Sequence, residues 1–215
     1  MSTEASAAAM SFPDQTYPSA GDYVEAYRDE IVRAWTSVDP AAFDRAAAML
    51  AAAIRAGRMI YACGNGGSAS IANHLHCDVL KGAQTDTTLK PKVVSLAGPL
   101  ELVTAIANDI EYAEVFVYPL RTMAEVGDVL ITISSSGNSE NIVRAIEWAR
   151  KNGVGSIAMT GFAGGRSKSL ADVNLHVAAQ NYGVVEDIHQ SMMHCLAQYL
   201  RQSAMPPELV PRRVF

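Results

Sequence analysis

Cys63-Gly64-Asn65-Gly66-Gly67-Ser68-Ala69-Ser70 lies between an apolar run, Met59-Ile60-Tyr61-Ala62, and a helix-like stretch over 69–82. That order is a strand, a glycine-rich turn and a helix N-terminus. Glycine lets the backbone turn sharply and approach a ligand, because no Cβ intervenes. The first N–H groups of a helix have no internal partner and favour an anion. With the Ser68 and Ser70 hydroxyls added, the stretch reads as one wall of a phosphate or sugar-phosphate site. The plainer reading is a structural glycine turn. Neither G-x-G-x-x-G nor G-x-x-x-x-G-K-[ST] can be written over these residues, so no nucleotide cofactor is expected.

Outward from this turn the chain alternates. Strands are expected over 59–63, 92–96, 129–133, 155–160 and 173–177. Helices are expected over 69–82, 100–108, 139–152, 167–171 and 185–202, with another inside 112–123. Strands and helices in that alternation imply an open parallel sheet with helices on both faces, and ligands at the strands' carboxyl ends. Upstream, Tyr23, Tyr27, Ile31, Ala34, Trp35 and Val38 recur at helical spacing. Pro40 can open a second, alanine-rich helix over 41–56, which Gly57 ends. These two helices either cover their own sheet or build a subunit interface. The boundaries are a flexible arm over 1–20, one domain over 21–203 that includes the helical extension 21–57, and a tail over 204–215.

At 215 residues, one domain can bury a full core. A net charge of −5 argues against bulk electrostatic binding to nucleic acid. No apolar stretch nears the roughly 20 residues of a membrane helix. Cys63, Cys77 and Cys195 form no C-x-x-C pair and fit a reducing cytoplasm.

Ile133-Ser134-Ser135-Ser136-Gly137-Asn138-Ser139 repeats the logic of the first turn. It follows a strand and precedes a helix, and its hydroxyls and N–H groups can bind a phosphate without arginine. The plainer reading is a serine-rich turn with Ser139 as N-cap. Two such loops together favour a phosphorylated ligand. A third loop, Thr160-Gly161-Phe162-Ala163-Gly164-Gly165, reads as structural.

Gly64-Asn65-Gly66-Gly67-Ser68, then Ala107-Asn108-Asp109, then Ser134 to Ser139, in that order, resemble the sugar isomerase (SIS) domain. Within it the chain is most similar to bacterial phosphoheptose isomerases, from about residue 22 to 202. The resemblance implies a three-layer α/β sandwich around a five-stranded parallel sheet of flavodoxin-like type, assembled as a homotetramer through N-terminal helices. It implies an aldose–ketose isomerase that converts sedoheptulose 7-phosphate to D-glycero-D-manno-heptose 7-phosphate through an enediol, for surface-polysaccharide heptose. It places Asn65, Gly66, Gly67 and Ser68 in a substrate loop, and Asn108 and Asp109 on substrate hydroxyls. Ser134, Ser135, Ser136 and Ser139 become the phosphate cradle, and His74 a zinc ligand. Where the family has a glutamate base and ligand this chain has Asp78, and where it has a glutamine ligand this chain has Glu186, eight residues before His194. The implied zinc set is therefore His74, Asp78, Glu186 and His194, with two departures that leave zinc open.

Isomerisation needs a base at the carbon beside a carbonyl and an acid at the neighbouring oxygen. His74 and Asp78 are i,i+4 and share a helix face. Asp78 or Glu186 can serve as base and His194 as acid; Asp78 reaches about 1.5 Å less far than a glutamate. Glu186 and His194 lie about 12 Å apart along a regular helix. One ion meets both only if the helix starts after Glu186 or if two subunits contribute. His189 is an alternative ligand. His76 and Cys77 are expected to pack or face solvent, His176 to be an ordinary half-buried histidine, Lys81 to be solvated, and Asp187, Glu111 and Glu114 to be surface charges. Two other functions stay open: a non-catalytic SIS sugar-phosphate sensor or regulatory binding protein, and an isomerase for another sugar phosphate.

Overall fold

The computed structural model describes residues 11–215. Two helices come first. Helix α1, Ala20–Thr36, is capped by Ser19, whose hydroxyl accepts from the Asp22 N–H at 3.1 Å. Helix α2, Pro40–Arg55, starts on Asp39, which accepts from the Ala41 N–H at 2.9 Å, with Pro40 needing no donor there. Ala42, Ala46, Leu50 and Ala53 fall on one face of α2 and are all buried, so this helix covers its own sheet. Helix α1 lies on the last helix, and Tyr27 donates to Asp187 there at 2.6 Å. Its outer residues Val24 and Val32 stay exposed.

The strands are β1 Met59–Gly64, β2 Lys92–Ser95, β3 Val129–Ser134, β4 Gly155–Thr160 and β5 Val173–His176. They are all parallel, in the order β2-β1-β3-β4-β5. Each central strand is buried on both faces, and its alternating side chains feed two cores. Ile60 and Ala62 of β1 join the core beneath α2, α3 (Gly67–Cys77) and α8 (Tyr182–Ala204). Tyr61 and Cys63 join the core beneath α4 (Leu100–Asp109), α5 (Val117–Met123) and α6 (Glu140–Lys151). The short α7, Gly165–Leu170, packs beside α6. This is the expected three-layer α/β sandwich. The strand order reverses between β1 and β3, which pair directly with Gly64 opposite Ile133. The two loops leaving these strands therefore emerge side by side, where a crevice opens in such sheets.

Several boundaries differ from the sequence reading. The helix expected over 69–82 is α3 followed by a π-helical turn, Asp78–Gly82, in which the Ala83 N–H reaches the Asp78 carbonyl at 3.0 Å. Helix α8 starts at Tyr182 rather than 185, because the Asn181 side chain accepts from the Val184 N–H at 2.9 Å. Its opening turn thus includes Gly183, a weak helix former that the cap offsets. Of the arm expected over 1–20, residues 1–10 lie outside the described residues; beyond them Phe12 is buried among Tyr17, Tyr23 and Tyr27. The segment after α8 is also held: Arg201 is 8% exposed and donates to the Thr85 and Val214 carbonyls and to Asp86. Glu114 is not a surface charge. It is 9% exposed and pairs with Arg121 at 2.6 Å and Arg144 at 2.9 Å.

Candidate active site

The turn after β1 and the loop after β3 close on one cavity of about 150 Å³. Asn65, Ser68, Ser134, Ser135, Ser136, Ser139, Tyr182 and Glu186 line it. Gly66 has φ 55°, the left-handed region that a side chain resists, and it swings the chain into α3. At Gly67 a Cβ would overlap the Glu186 carboxylate, so the absence of a side chain lets α8 close over the start of α3. Asn65 is fixed by a three-residue network. It donates to Asn141 at 3.0 Å and accepts from Asn141 at 2.9 Å and from the Tyr112 hydroxyl at 2.8 Å.

The serines divide their work. Ser134 Oγ accepts from the Gly137 N–H at 3.2 Å and Ser136 Oγ from the Asn138 N–H at 3.3 Å, which shapes the loop. Ser139 occupies the N-cap position of α6, but its hydroxyl caps nothing. Ser135 Oγ is fully buried with no hydrogen-bond partner. A buried hydroxyl left unpaired costs about 1–3 kcal/mol, so a ligand able to pair it gains by binding. The free Ser135 and Ser139 hydroxyls and the unpaired first N–H groups of α6 suit an oxyanion.

A second cluster lies further along α8. His74 Nε2 is 3.4 Å from Asp78 Oδ1, and His194 Nε2 is 3.7 Å from Asp78 Oδ2. The His74 and His194 rings meet edge-on at 5.0 Å. Among the described residues, His74, Asp78 and His194 place one ligand atom each within 4.8 Å of one another. Asp78 and His194 also line a cavity of about 510 Å³ with Lys81, Arg201, Val214 and Phe215. The π-helical turn starts at Asp78, and the short aspartate reaches both histidines. Two imidazoles and a carboxylate are a donor set that fits a divalent cation of borderline hardness.

Glu186 does not join this set. Because α8 is regular from Tyr182 onward, Glu186 faces the serine cavity and His194 the second cluster. His189 does not join it either. It is fully buried on the core side of α8, with neither ring nitrogen paired. Burial pushes its pKa down to about 4, with the nearby His176 adding to the fall and the Thr160 backbone opposing it. His176 hydrogen-bonds Thr160 at 3.1 Å, as an ordinary half-buried histidine would. Asn108 and Asp109 end α4, bond to one another at 2.8 Å and line neither cavity.

Three residues of the site went unread in the sequence. Tyr182 lines the serine cavity and packs on Phe162 at 4.8 Å. Asn141 holds Asn65. Gln190 Nε2 lies 2.9 Å from His74 Nδ1 and 3.0 Å from His194 Nε2. The signal for Gln190 was its place four residues before His194, on the same helix face.

Known proteins resemble this chain over most of its length. Residues 22–161 match the family model described as the SIS domain. A phosphoheptose isomerase of Colwellia psychrerythraea is 36% identical over 166 residues, which is 76% of this chain and 84% of that protein. One of Shewanella denitrificans is 33% identical over 79% of this chain and 87% of its own. The solved phosphoheptose isomerase of Neisseria gonorrhoeae superposes with a TM-score of 0.78 at 29% identity, covering 85% of this chain and 98% of that one. That of Francisella tularensis gives 0.78 at 27%, over 85% and 96%. No helix among the described residues is long and apolar enough to cross a membrane. The chain belongs to the SIS domain family and, within it, to the phosphoheptose isomerases.

Proposed function

We propose that the chain interconverts sedoheptulose 7-phosphate and D-glycero-D-manno-heptose 7-phosphate through an enediol, and so supplies heptose for surface polysaccharide. The observation that carries this reading is the pairing of a serine cavity with an acid–base cluster at the other end of one helical segment. The eight-residue step along α8 from Glu186 to His194 rises about 12 Å. In an extended ketose 7-phosphate, eight bonds separate phosphorus from C1, a reach of about 10 Å at ordinary bond lengths. A phosphoryl group seated on Ser135, Ser136 and Ser139 therefore brings C1 and C2 of a seven-carbon sugar towards Asp78 and His194. A five-carbon chain falls about 2.5 Å short of that reach.

In this reading the cradle serines and the turn Asn65, Gly66, Gly67 and Ser68 hold the phosphorylated end. Asp78 takes the C1 proton, and His194 moves the proton between the C1 and C2 oxygens. Glu186 lies at the phosphoryl end, which favours Asp78 over Glu186 as the base. His74, Asp78 and His194 are the residues that would hold zinc, and the ion would supply positive charge to stabilise the enediolate. An apolar groove between α2 and α8, lined by Phe43, Leu196, Tyr199 and Phe215, and the exposed Val24 and Val32 on α1 support association between copies of the chain, as a homotetramer needs. A cytoplasmic site of action is in keeping with three free cysteines, and a net charge of −5 speaks against a nucleic-acid partner. The test is turnover of five-, six- and seven-carbon ketose phosphates side by side. The seven-carbon substrate should give the highest kcat/KM, and equal turnover of all three would remove the length argument.

A further inference from the structure

The Gln190 amide stands between the two imidazoles of the second cluster, and both hydrogen bonds recorded for it end on them. We propose that Gln190 is a positioning residue that sets the tautomer of His74, and so decides whether His74 can join Asp78 and His194 in holding a divalent cation.

A neutral imidazole has one N–H and one ring lone pair. His74 faces Asp78 with Nε2 and Gln190 with Nδ1. Whatever Gln190 presents to Nδ1 therefore fixes what Nε2 offers on the other side. With the amide nitrogen towards the ring, Nδ1 accepts, Nε2 carries the proton, and that proton points at the Asp78 carboxylate. No lone pair is then left for a cation. A half-turn of the amide places its oxygen there instead. Nδ1 must then donate, and the Nε2 lone pair points into the space shared with Asp78 and His194. The two ends of an amide are nearly the same size, so the turn needs little repacking.

The same amide atom also meets His194 at Nε2, the nitrogen nearest Asp78. The amide nitrogen donates to that lone pair and occupies it. An amide oxygen in its place no longer donates there but accepts from a protonated Nε2, so zinc takes His194 Nε2 only from the tautomer protonated at Nδ1. One side chain thus touches both histidines, but its half-turn frees the Asp78-facing nitrogen of His74 alone. The NH₂ orientation closes the cluster on itself, and the oxygen orientation leaves the His74 Nε2 lone pair and the Asp78 carboxylate converging. Metal-bound histidines are commonly held by an acceptor on the other ring nitrogen, and losing that acceptor typically costs 10–100-fold in affinity. Here the acceptor is an amide one helical turn from the second histidine.

The inference rests on reading the cluster as a cation site. Its test uses zinc alone, without sugar phosphate, so its failure is separable from that of the isomerase assignment. Chelator-stripped protein is titrated with Zn²⁺ by calorimetry, and the imidazole ¹⁵N resonances are followed, for wild type, Gln190→Leu and Gln190→Glu. Before zinc, wild-type His74 should carry its proton on Nε2, and on binding zinc the proton should move to Nδ1. Gln190→Leu should bind zinc 10–100-fold more weakly and lose the defined tautomer of free His74. Gln190→Glu, which can only accept, should restore affinity to the wild-type level or beyond. If Gln190→Leu melts early, Gln190→Met takes its place. Wild-type affinity in Gln190→Leu, weak binding in Gln190→Glu, or no zinc binding by the wild type would each overturn the proposal.

Discussion

Glu186 and His194 stand eight residues apart on the unbroken helix α8 and open onto different cavities: Glu186 onto the serine cavity, His194 onto the cluster with Asp78 and His74. A single cation on this chain therefore meets His194 without Glu186. The two carboxylates that the sequence leaves as rival bases, Asp78 and Glu186, are placed in different chemical settings.

That separation gives opposite expectations for two isosteric changes. Asp78→Asn should lower kcat by about 100-fold or more, the usual scale for losing a general base. Glu186→Gln removes a negative charge from beside the phosphoryl position, so it should leave kcat within a few-fold and lower KM. Steady-state kinetics on both variants decides between the two bases. A collapse of kcat in Glu186→Gln with a mild effect in Asp78→Asn would reverse the assignment.

The serine cavity should act on binding. Ser135→Ala and Ser139→Ala each remove a hydroxyl that is unpaired in the free protein and would hydrogen-bond a dianion. A hydrogen bond to a charged group contributes about 1.5–3 kcal/mol, so KM should rise at least tenfold in each, with kcat little changed. Inorganic phosphate should compete with substrate in wild type and compete more weakly in both variants.

The buried histidine of α8 makes a prediction about stability. His189 is held neutral by burial, with its pKa near 4 against an ordinary value of 6.5. Below about pH 6.5 the unfolded chain takes up a proton that the folded chain refuses, so stability falls as the pH drops from 6.5 towards 4. The full loss from this one group is about 3 kcal/mol. Melting curves between pH 8 and pH 4.5 should fall less steeply for His189→Leu than for wild type. Identical slopes would mean that His189 is not a buried neutral group.

What the sequence reveals and what it hides follow the range of the forces involved. The strand–turn–helix unit at Cys63 to Ser70 is legible because glycines, a buried apolar run and a helix start are all local features. The serine loop after β3 is legible for the same reason. The start of α8 is misread because Gly183 weakens the local helix signal, while the cap that overrides it belongs to Asn181, two residues earlier. The burial of Glu114 depends on Arg144, thirty residues later, and the tie of Asn65 to Asn141 spans 76 residues. No local pattern carries either. Gln190 carries no signal by residue type; only its spacing from His194 marks it. The π-helical turn at Asp78 follows from no propensity in the sequence, yet it begins at the residue proposed as base.

The most direct measurement is turnover of sedoheptulose 7-phosphate in D₂O, with the product aldose analysed for deuterium, in wild type and in His194→Ala. The account predicts that wild type forms the aldose with deuterium at C2, as proton transfer through an enediol exchanging with solvent requires. It predicts that His194→Ala binds the sugar phosphate within a few-fold of wild type and forms product at least 100 times more slowly. Absence of aldose with every divalent cation supplied, aldose without deuterium, or wild-type turnover by His194→Ala would contradict it.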